Sequence, residues 1–214
     1  AQVFDLKGRT VLPAFIELNS NIGIVTEKKE SSRSYKPQIE SNKGSSFYWN
    51  EAIHPEVDAS VMYSKNKALI KDINQKGFGF FASHSNEGIV RGTGLLVSAN
   101  GDNLSSDILS PQIASYYSLN KGDSKQSYPS SQMGSIALLR QSFYDFQYYT
   151  KSDLNFTDLS MEAWKSQMHL PRFFQTADKL EILRASKIAN EFNSSFIYLG
   201  SGNEYEAIDP VSYT

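Results

Sequence analysis

The segment GRTVLPAFIELNSNIGI (Gly8–Ile24) decides the fold prediction, because it joins a short turn, an apolar run and a polar end. The run Thr10–Leu18 places apolar residues on both faces of a strand, which is typical of a parallel sheet covered on both sides. Pro13 lacks the N–H group that a central strand needs, so we expect the buried part to be Ala14–Leu18. The amide-rich triplet Asn19–Asn21 follows at the end of this strand.

Helices and strands alternate along much of the remaining chain. An apolar stripe predicts a helix over Ser64–Lys76, and the aromatic run Phe78–Ser83 predicts the strand after it. Near the end, a strand at Pro171–Thr176, an amphipathic helix at Asp178–Phe192 and a strand at Ser195–Leu199 indicate a right-handed parallel crossover. Two further helices are predicted at Ser130–Thr150 and Ser160–Gln167. The class is α/β with a largely parallel sheet.

Composition narrows the function classes. The chain has 214 residues, of which 40% are hydrophobic, and this is enough for one sizeable core. Its net charge is −2 with scattered Lys and Arg, so we expect no nucleic-acid partner. It contains no apolar run of membrane-spanning length and no export signal as given. Cysteine is absent, and the three histidines lack the close spacing of a His-rich metal site. The polar stretch 27–46 is predicted to be an exposed loop.

Candidate chemistry concentrates in the stretch Ser83–Gly94, which follows a predicted strand and contains His84, Glu87 and Arg91. In parallel α/β folds the functional site lies at the carboxyl ends of the strands, and this favours a functional loop. The alternative is a structural loop in which these side chains only bond their neighbours. We expect a glycine-bearing loop over Glu87–Gly94 and a short strand over Leu95–Ser98. Asp178, after another predicted strand, is a further catalytic candidate.

The opening segment also carries a family resemblance. DLKGRTVLPAFIELNSNIGI (Asp5–Ile24) resembles the start of amidohydrolase superfamily barrels, whose pattern is D-x-x-G-(K/R)-x-V-x-P-G-F-I-D-x-H-x-H. Glu17 stands where the pattern has Asp. The matching residues are Asp5, Gly8, Pro13, Phe15 and Ile16. Four more segments resemble the exported, imidazolonepropionase-like bacterial members: Tyr48–Ser60, Gly77–Ser98, Tyr128–Tyr149 and Ala177–Phe192.

This resemblance implies a (β/α)8 TIM-type barrel that uses zinc or another divalent metal to hydrolyse C–N bonds in amides and cyclic amides. The His-x-His metal ligands of the family fall on Asn19 and Asn21, and the ligand of a later strand falls on Gln175 or Thr176. We therefore predict no metal or other cofactor in this segment, because carboxamides bind zinc weakly. The family's last strands are missing, so we expect residues 1–214 to form a single partial barrel domain with exposed sheet edges.

Three functional hypotheses remain open. The first is a pseudoenzyme: a degenerate amidohydrolase barrel acting as a binding or scaffold part of a larger hydrolase, completed by the rest of a longer chain or by a second copy. The second is an active metal-dependent amidohydrolase with unorthodox or externally supplied ligands, for which His84, Glu87 and Asp178 are the catalytic candidates. The third is a non-catalytic module that binds a small molecule, peptide or glycan through Asn19, Asn21 and Gln175. The resemblance also implies export from the cell.

Overall fold

The computed structural model of the protein describes residues 5, 7–26, 36–100, 107–152, 154–203 and 205. This part of the chain contains six strands and five helices. The strands are β1 (Phe15–Ser20), β2 (Phe78–Ser83), β3 (Val90–Ser98), β4 (Ile108–Ser118), β5 (Arg172–Gln175) and β6 (Ile197–Leu199). The helices are α1 (Ala59–Met62), α2 (Lys67–Gln75), α3 (Gln132–Lys151), α4 (Leu159–Ser166) and α5 (Lys179–Glu191). No helix among the described residues is both long and apolar enough to cross a membrane.

The six strands form one sheet in the order in which they occur along the chain. β1 and β2 are parallel, and so are β4, β5 and β6, whereas β3 runs antiparallel to both of its neighbours. Five strands therefore point the same way, as the crossover patterns predicted. The result is a mixed α/β fold whose six-stranded sheet is barrel-like and nearly closed. It fits part of a barrel, and the described residues do not make a complete (β/α)8 barrel.

All five helices begin at a residue whose side chain accepts a hydrogen bond from the first turn. These caps are Asp58 for α1, Asn66 for α2, Ser131 for α3, Asp158 for α4 and Asp178 for α5. A capping oxygen satisfies a backbone N–H that has no partner within the helix, so each cap fixes where its helix starts. All four predicted helices are present, and α2 starts later than predicted because Asn66 caps it.

The predicted loop from Glu87 to Gly94 is wrong in its second half, where Val90 to Gly94 belong to β3. The glycines there mark close packing rather than a turn. A Cβ atom on Gly92 would lie 2.0 Å from the carbonyl oxygen of Val57, and one on Gly94 would lie 2.4 Å from the Tyr116 ring. Glycine inside a strand often signals such a close approach.

The expectation that Ala14–Leu18 is a buried strand is also wrong. The strand is Phe15–Ser20, and Phe15, Ile16 and Leu18 are 61%, 55% and 41% exposed. The reason is that β1 lies at the edge of the sheet and pairs only with β2. Within the described residues nothing covers its two faces in the way that a closed barrel would. An exposed edge of this kind is what an incomplete barrel predicts.

The largest core cluster lies between helices α3 to α5 and the second half of the sheet. Trp164 of α4 packs on Phe143 and Phe146, and its indole N–H donates to the Tyr117 hydroxyl at 2.9 Å. The helix α5 buries Ile182, Ala185, Ile188 and Ala189, as expected of the predicted amphipathic helix. Of the predicted loop 27–46, residues 27–35 lie outside the described residues. Residues 36–46 form neither helix nor strand and are mostly exposed.

Candidate functional site

The carboxyl ends of the parallel strands meet at one edge of the sheet, which we call the strand-end edge. Ser20 of β1 pairs with Ser83 of β2, and Ser118 of β4 pairs with Gln175 of β5. Because β3 runs the other way, its first residues lie at this same edge. The predicted positions Asn19 and Gln175 are the last or second-last residues of their strands, and Asn21 and Thr176 follow directly.

His84 and Asn19 form the first side-chain pair at the strand-end edge. His84 is fully buried, and its Nε2 lies 3.0 Å from the side-chain amide of Asn19. Its Nδ1 lies 2.8 Å from the carbonyl oxygen of Ser85. The ring stacks on Tyr116 with ring centres 3.8 Å apart. A carbonyl oxygen only accepts hydrogen bonds, so Nδ1 carries the proton and Nε2 faces Asn19.

The His84 ring is neutral near pH 7. Burial, aided by the positive charge of Arg91, lowers its pKa to about 4, although the hydrogen bond to Ser85 acts in the opposite direction. In the neutral ring with its proton on Nδ1, Nε2 can only accept. Asn19 must therefore turn its NH₂ group toward the ring, an orientation that the nearly identical shapes of the amide N and O allow.

Arg91 and Gln175 form the second pair. The Arg91 side chain is buried, its Nε donates to the carbonyl oxygen of Gly88 at 3.0 Å, and its Nη1 donates to Gln175 Oε1. Among the described residues, no carboxylate lies within ion-pair distance of this guanidinium. Burial lowers the pKa of Arg91 to about 10, with Glu87 acting in the opposite direction, so the group stays charged at neutral pH. At the strand-end edge, the buried guanidinium of Arg91 therefore donates its hydrogen bonds to neutral oxygen atoms, those of Gly88 and Gln175.

The other predicted site residues hydrogen-bond elsewhere. Asn21 is exposed in a turn, and the Thr176 hydroxyl donates to the carbonyl oxygen of Leu199 at 3.3 Å. Asp178 is exposed and accepts from the backbone N–H of Glu181 at 2.8 Å, as the cap of α5. The Glu87 carboxylate accepts from the backbone N–H of Asp123. The structure therefore brings Asn19 to His84 and Gln175 to Arg91, and it gives the remaining candidates other partners.

Sequence reasoning missed Tyr116, which stacks on His84 and donates from its hydroxyl to the carbonyl oxygen of Leu18 at 3.2 Å. It lies in β4, a strand that the sequence patterns did not predict. Pro111 interrupts this strand, and proline usually argues against a strand interior. The isoleucine and the two tyrosines in IASYYS (Ile113–Ser118) are residues that favour strands, and they are the signal that would have indicated one.

The donor atoms at the strand-end edge are unlike a zinc site. The four positions that resemble family ligands offer carboxamides and one hydroxyl, whereas Zn²⁺ prefers His nitrogen, Cys sulfur and carboxylates. Within the described part of the chain, no three His, Asp or Glu side chains are close enough to hold one metal ion. The one imidazole at the edge, His84, uses both ring nitrogens in hydrogen bonds. This set of residues does not fit a divalent metal.

A cavity of about 550 Å³ lies beside the strand-end edge, under the connection between β2 and β3. Ser85, Glu87 and Gly88 of that connection line it, together with His54 and Glu56 from the segment before α1. Its size is that of a small-molecule site. We call it the loop cavity.

No family model and no curated protein matches the chain. Among solved structures, an amidohydrolase from Thermotoga maritima MSB8 is similar, with a TM-score of 0.65 and 20% sequence identity. The similar region covers 92% of this chain and 55% of that one, so the chain spans about half the length of that structure. At this identity the likeness shows the fold alone, which is amidohydrolase-like. The imidazolonepropionase-like subgroup stays a prediction.

Proposed function

We propose that this chain is an amidohydrolase-like barrel domain that works without a resident metal, as a binding or scaffold part of a larger hydrolase. The observation that carries the proposal is the pairing of Arg91 with Gln175. Gln175 is one of the two candidates for a family ligand position on β5. The side-chain oxygen of Gln175 already accepts a hydrogen bond from the positively charged guanidinium of Arg91.

Electrostatics supports this reading. At an effective dielectric constant of about 20, a guanidinium roughly 5 Å from a divalent ion repels it by about 7 kcal/mol. Among the described residues, no carboxylate within ion-pair distance of Arg91 offsets that repulsion. Amide oxygens provide little binding energy in return, because they are neutral ligands.

The contacts of Asn19, at the β1 end of the strand-end edge, support the same proposal. The Asn19 amide is hydrogen-bonded to His84, and its backbone N–H is bonded to Glu17 at 2.8 Å. A metal ion would have to break the Asn19–His84 hydrogen bond in a buried place, at a cost of about 1–3 kcal/mol for each polar group left unpaired. We infer that Asn19 and Gln175 now hold the sheet edge together.

Metal analysis tests the proposal. The purified protein is incubated with Zn²⁺ or Mn²⁺, dialysed and assayed by inductively coupled plasma mass spectrometry, and we expect no stoichiometric metal. Stoichiometric metal that disappears in the Asn19→Ala/Asn21→Ala variant would overturn it. So would turnover of simple amides by the wild-type domain that the same variant abolishes.

A second experiment isolates the effect of the guanidinium. The triple variant Asn19→His/Asn21→His/Gln175→His restores imidazoles, and we expect it to bind zinc tightly only when Arg91→Met is added. The matched control is Arg140→Met, which removes an exposed guanidinium that pairs with Glu191. If Arg91→Met and Arg140→Met have equal effects on zinc affinity, the repulsion argument is wrong.

The scaffold part of the proposal rests on the exposed edge strand β1. Phe15 and Ile16 of this strand are both more than half exposed. A protein that covers β1 as a barrel does would bury these two apolar side chains. We propose that the rest of a longer chain or a second copy provides this cover, and that the assembled protein is exported.

A further inference from the structure

The guanidinium of Arg91 carries N–H groups that the protein does not use. Arg91 is only 3% exposed, and its Nε and Nη1 donate to Gly88 and Gln175. Its Nη2 bears two further N–H groups, and neither has an acceptor among the described residues. Nη2 is nevertheless absent from the described side-chain atoms that are both closed to solvent and without a partner. Nη2 therefore touches solvent-accessible space, and a ligand atom can reach it.

The side chain of Gln175 adds a second donor group beside the first. Arg91 Nη1 can only donate, so it fixes the amide with Oε1 toward the guanidinium. The Nε2 group of Gln175 then has two N–H groups without an acceptor in the described part of the chain. Gln175 is half-buried, and its Nε2 is likewise not among the unpartnered atoms that are closed to solvent. The two side chains together present donors and no free acceptor.

The positive charge of Arg91 has no counter-ion. No carboxylate of the described residues lies within ion-pair distance of the guanidinium. Burial lowers the pKa of Arg91, and Glu87 is the charged group that opposes this effect. The Glu87 carboxylate, however, accepts from the backbone N–H of Asp123. A buried charge without a partner is costly, so an anion from solution that reaches Nη2 would stabilise the strand-end edge.

The kind of anion follows from the charge and the shape of these donors. A carboxylate is planar like the guanidinium, accepts hydrogen bonds at both oxygens, and carries one negative charge to match the one positive charge of Arg91. A phosphate dianion would bring a second negative charge, for which Arg91 supplies no partner. The edge is therefore suited to a carboxylate.

We propose that the strand-end edge binds a small molecule through a carboxylate group, which accepts hydrogen bonds from Arg91 Nη2 with Gln175 Nε2 as the neighbouring donor. This site deepens the proposed function and rests on it, because a divalent ion at the same edge would itself attract the carboxylate. It gives the binding role of the domain a ligand class. The guanidinium that disfavours a metal ion is the group that holds the ligand.

Three probes test the proposal on the wild-type protein, dialysed free of metal and kept at constant ionic strength. Sodium butyrate is titrated by isothermal calorimetry, with butyramide as a neutral probe of the same shape and inorganic phosphate as a second anion. We expect one saturable site for butyrate, and weaker binding of butyramide by about tenfold or more, because hydrogen bonds to charged groups are the stronger ones. No saturable butyrate binding, equal affinities for butyrate and butyramide, or tighter binding of phosphate than of butyrate would overturn the carboxylate site.

A pair of matched variants then locates the site. Arg91→Met removes the buried guanidinium, and we expect it to weaken butyrate binding by about tenfold or more. Arg140→Met removes an exposed guanidinium that pairs with Glu191, and we expect it to leave butyrate binding unchanged. Equal effects of the two variants would refute the site. Thermal melting checks that both variants fold.

The variant Gln175→Glu tests the site with the guanidinium in place. It supplies a carboxylate within the chain, and the Nε2 group that it removes has no partner to lose. We expect a higher melting temperature and butyrate binding weaker by about tenfold or more. Unchanged butyrate affinity in folded Gln175→Glu would overturn the site, even if Arg91→Met does not fold. Metal content is a separate result: stoichiometric metal would overturn the proposed function, whereas failed butyrate binding by metal-free protein overturns the carboxylate site alone.

Discussion

Acid should destabilise this protein partly through one buried ring, that of His84. The pKa of the ring falls from its ordinary value of 6.5 to about 4 in the folded chain. Between these two pH values the unfolded chain therefore binds a proton at His84, whereas the folded chain does not. His84 contributes its full stabilisation above pH 6.5, and this contribution is lost as the pH falls toward 4.

The size of the effect follows from the two pKa values. A tenfold change in proton affinity is worth about 1.4 kcal/mol, so the full loss is about 3 kcal/mol. About 2 kcal/mol of this should be lost between pH 7 and pH 5, where most proteins are still folded. Other groups, including His54, also titrate in this range, so the wild-type pH profile alone does not isolate His84.

Urea unfolding at several pH values measures the effect. His84→Gln loses the stacking contact with Tyr116, which lowers the free energy of unfolding by a similar amount at every pH. We expect the gap between wild type and His84→Gln to shrink by about 2 kcal/mol from pH 7 to pH 5. His169→Gln is the control, because it removes a histidine that is exposed. Parallel profiles for wild type and His84→Gln would refute a buried neutral imidazole.

Three further substitutions have effects that the structure predicts, each measurable by urea unfolding. Gly88→Ala should destabilise by about 3 kcal/mol, because Gly88 has φ +89° and its new Cβ would meet His54. Gly44→Ala is the control and should change little, because its new Cβ would make only an ordinary contact with Phe47 at 3.9 Å. Asp178→Ala should cost about 1 kcal/mol as a lost helix cap and Asp178→Asn much less, and equal losses would contradict the capping role. Trp164→Phe should cost about 1–3 kcal/mol, because it leaves a buried tyrosine hydroxyl without its indole donor.

The sequence predicted those elements whose partners are close along the chain. α5 has its apolar stripe and its two flanking strands within one local unit, and the helix and both strands were found where they were predicted. The errors concern residues whose environment is set by distant segments. The sequence of β1 reads as a buried strand, but whether it is buried depends on what covers it. Gly92 and Gly94 led to the prediction of a loop. The structure requires glycine at these positions because Val57 and Tyr116 lie too close for a Cβ atom.

The same limit applies to the candidate site. His84 and Arg91 were singled out because their stretch follows a predicted strand, and this rule depends only on the sheet being parallel. The amide positions were singled out from the family resemblance. Their pairing depends on register. Arg91 reaches Gln175 because β3 runs antiparallel to β4, and no local pattern predicted that reversal. The pairing, rather than the residue types alone, determines where the buried charge lies.

The charges at the strand-end edge limit how this edge could gain a metal. Arg91 is already one buried cation, and its field helps to keep His84 neutral, so the edge carries a single positive charge. A divalent ion would add two more in the same low-dielectric space. Restoring one imidazole at Asn19 or Gln175 would break an existing hydrogen bond and leave the guanidinium in place. We therefore expect metal binding to require the new ligands and the loss of Arg91 together, and we expect each step taken alone to destabilise the edge without producing a site.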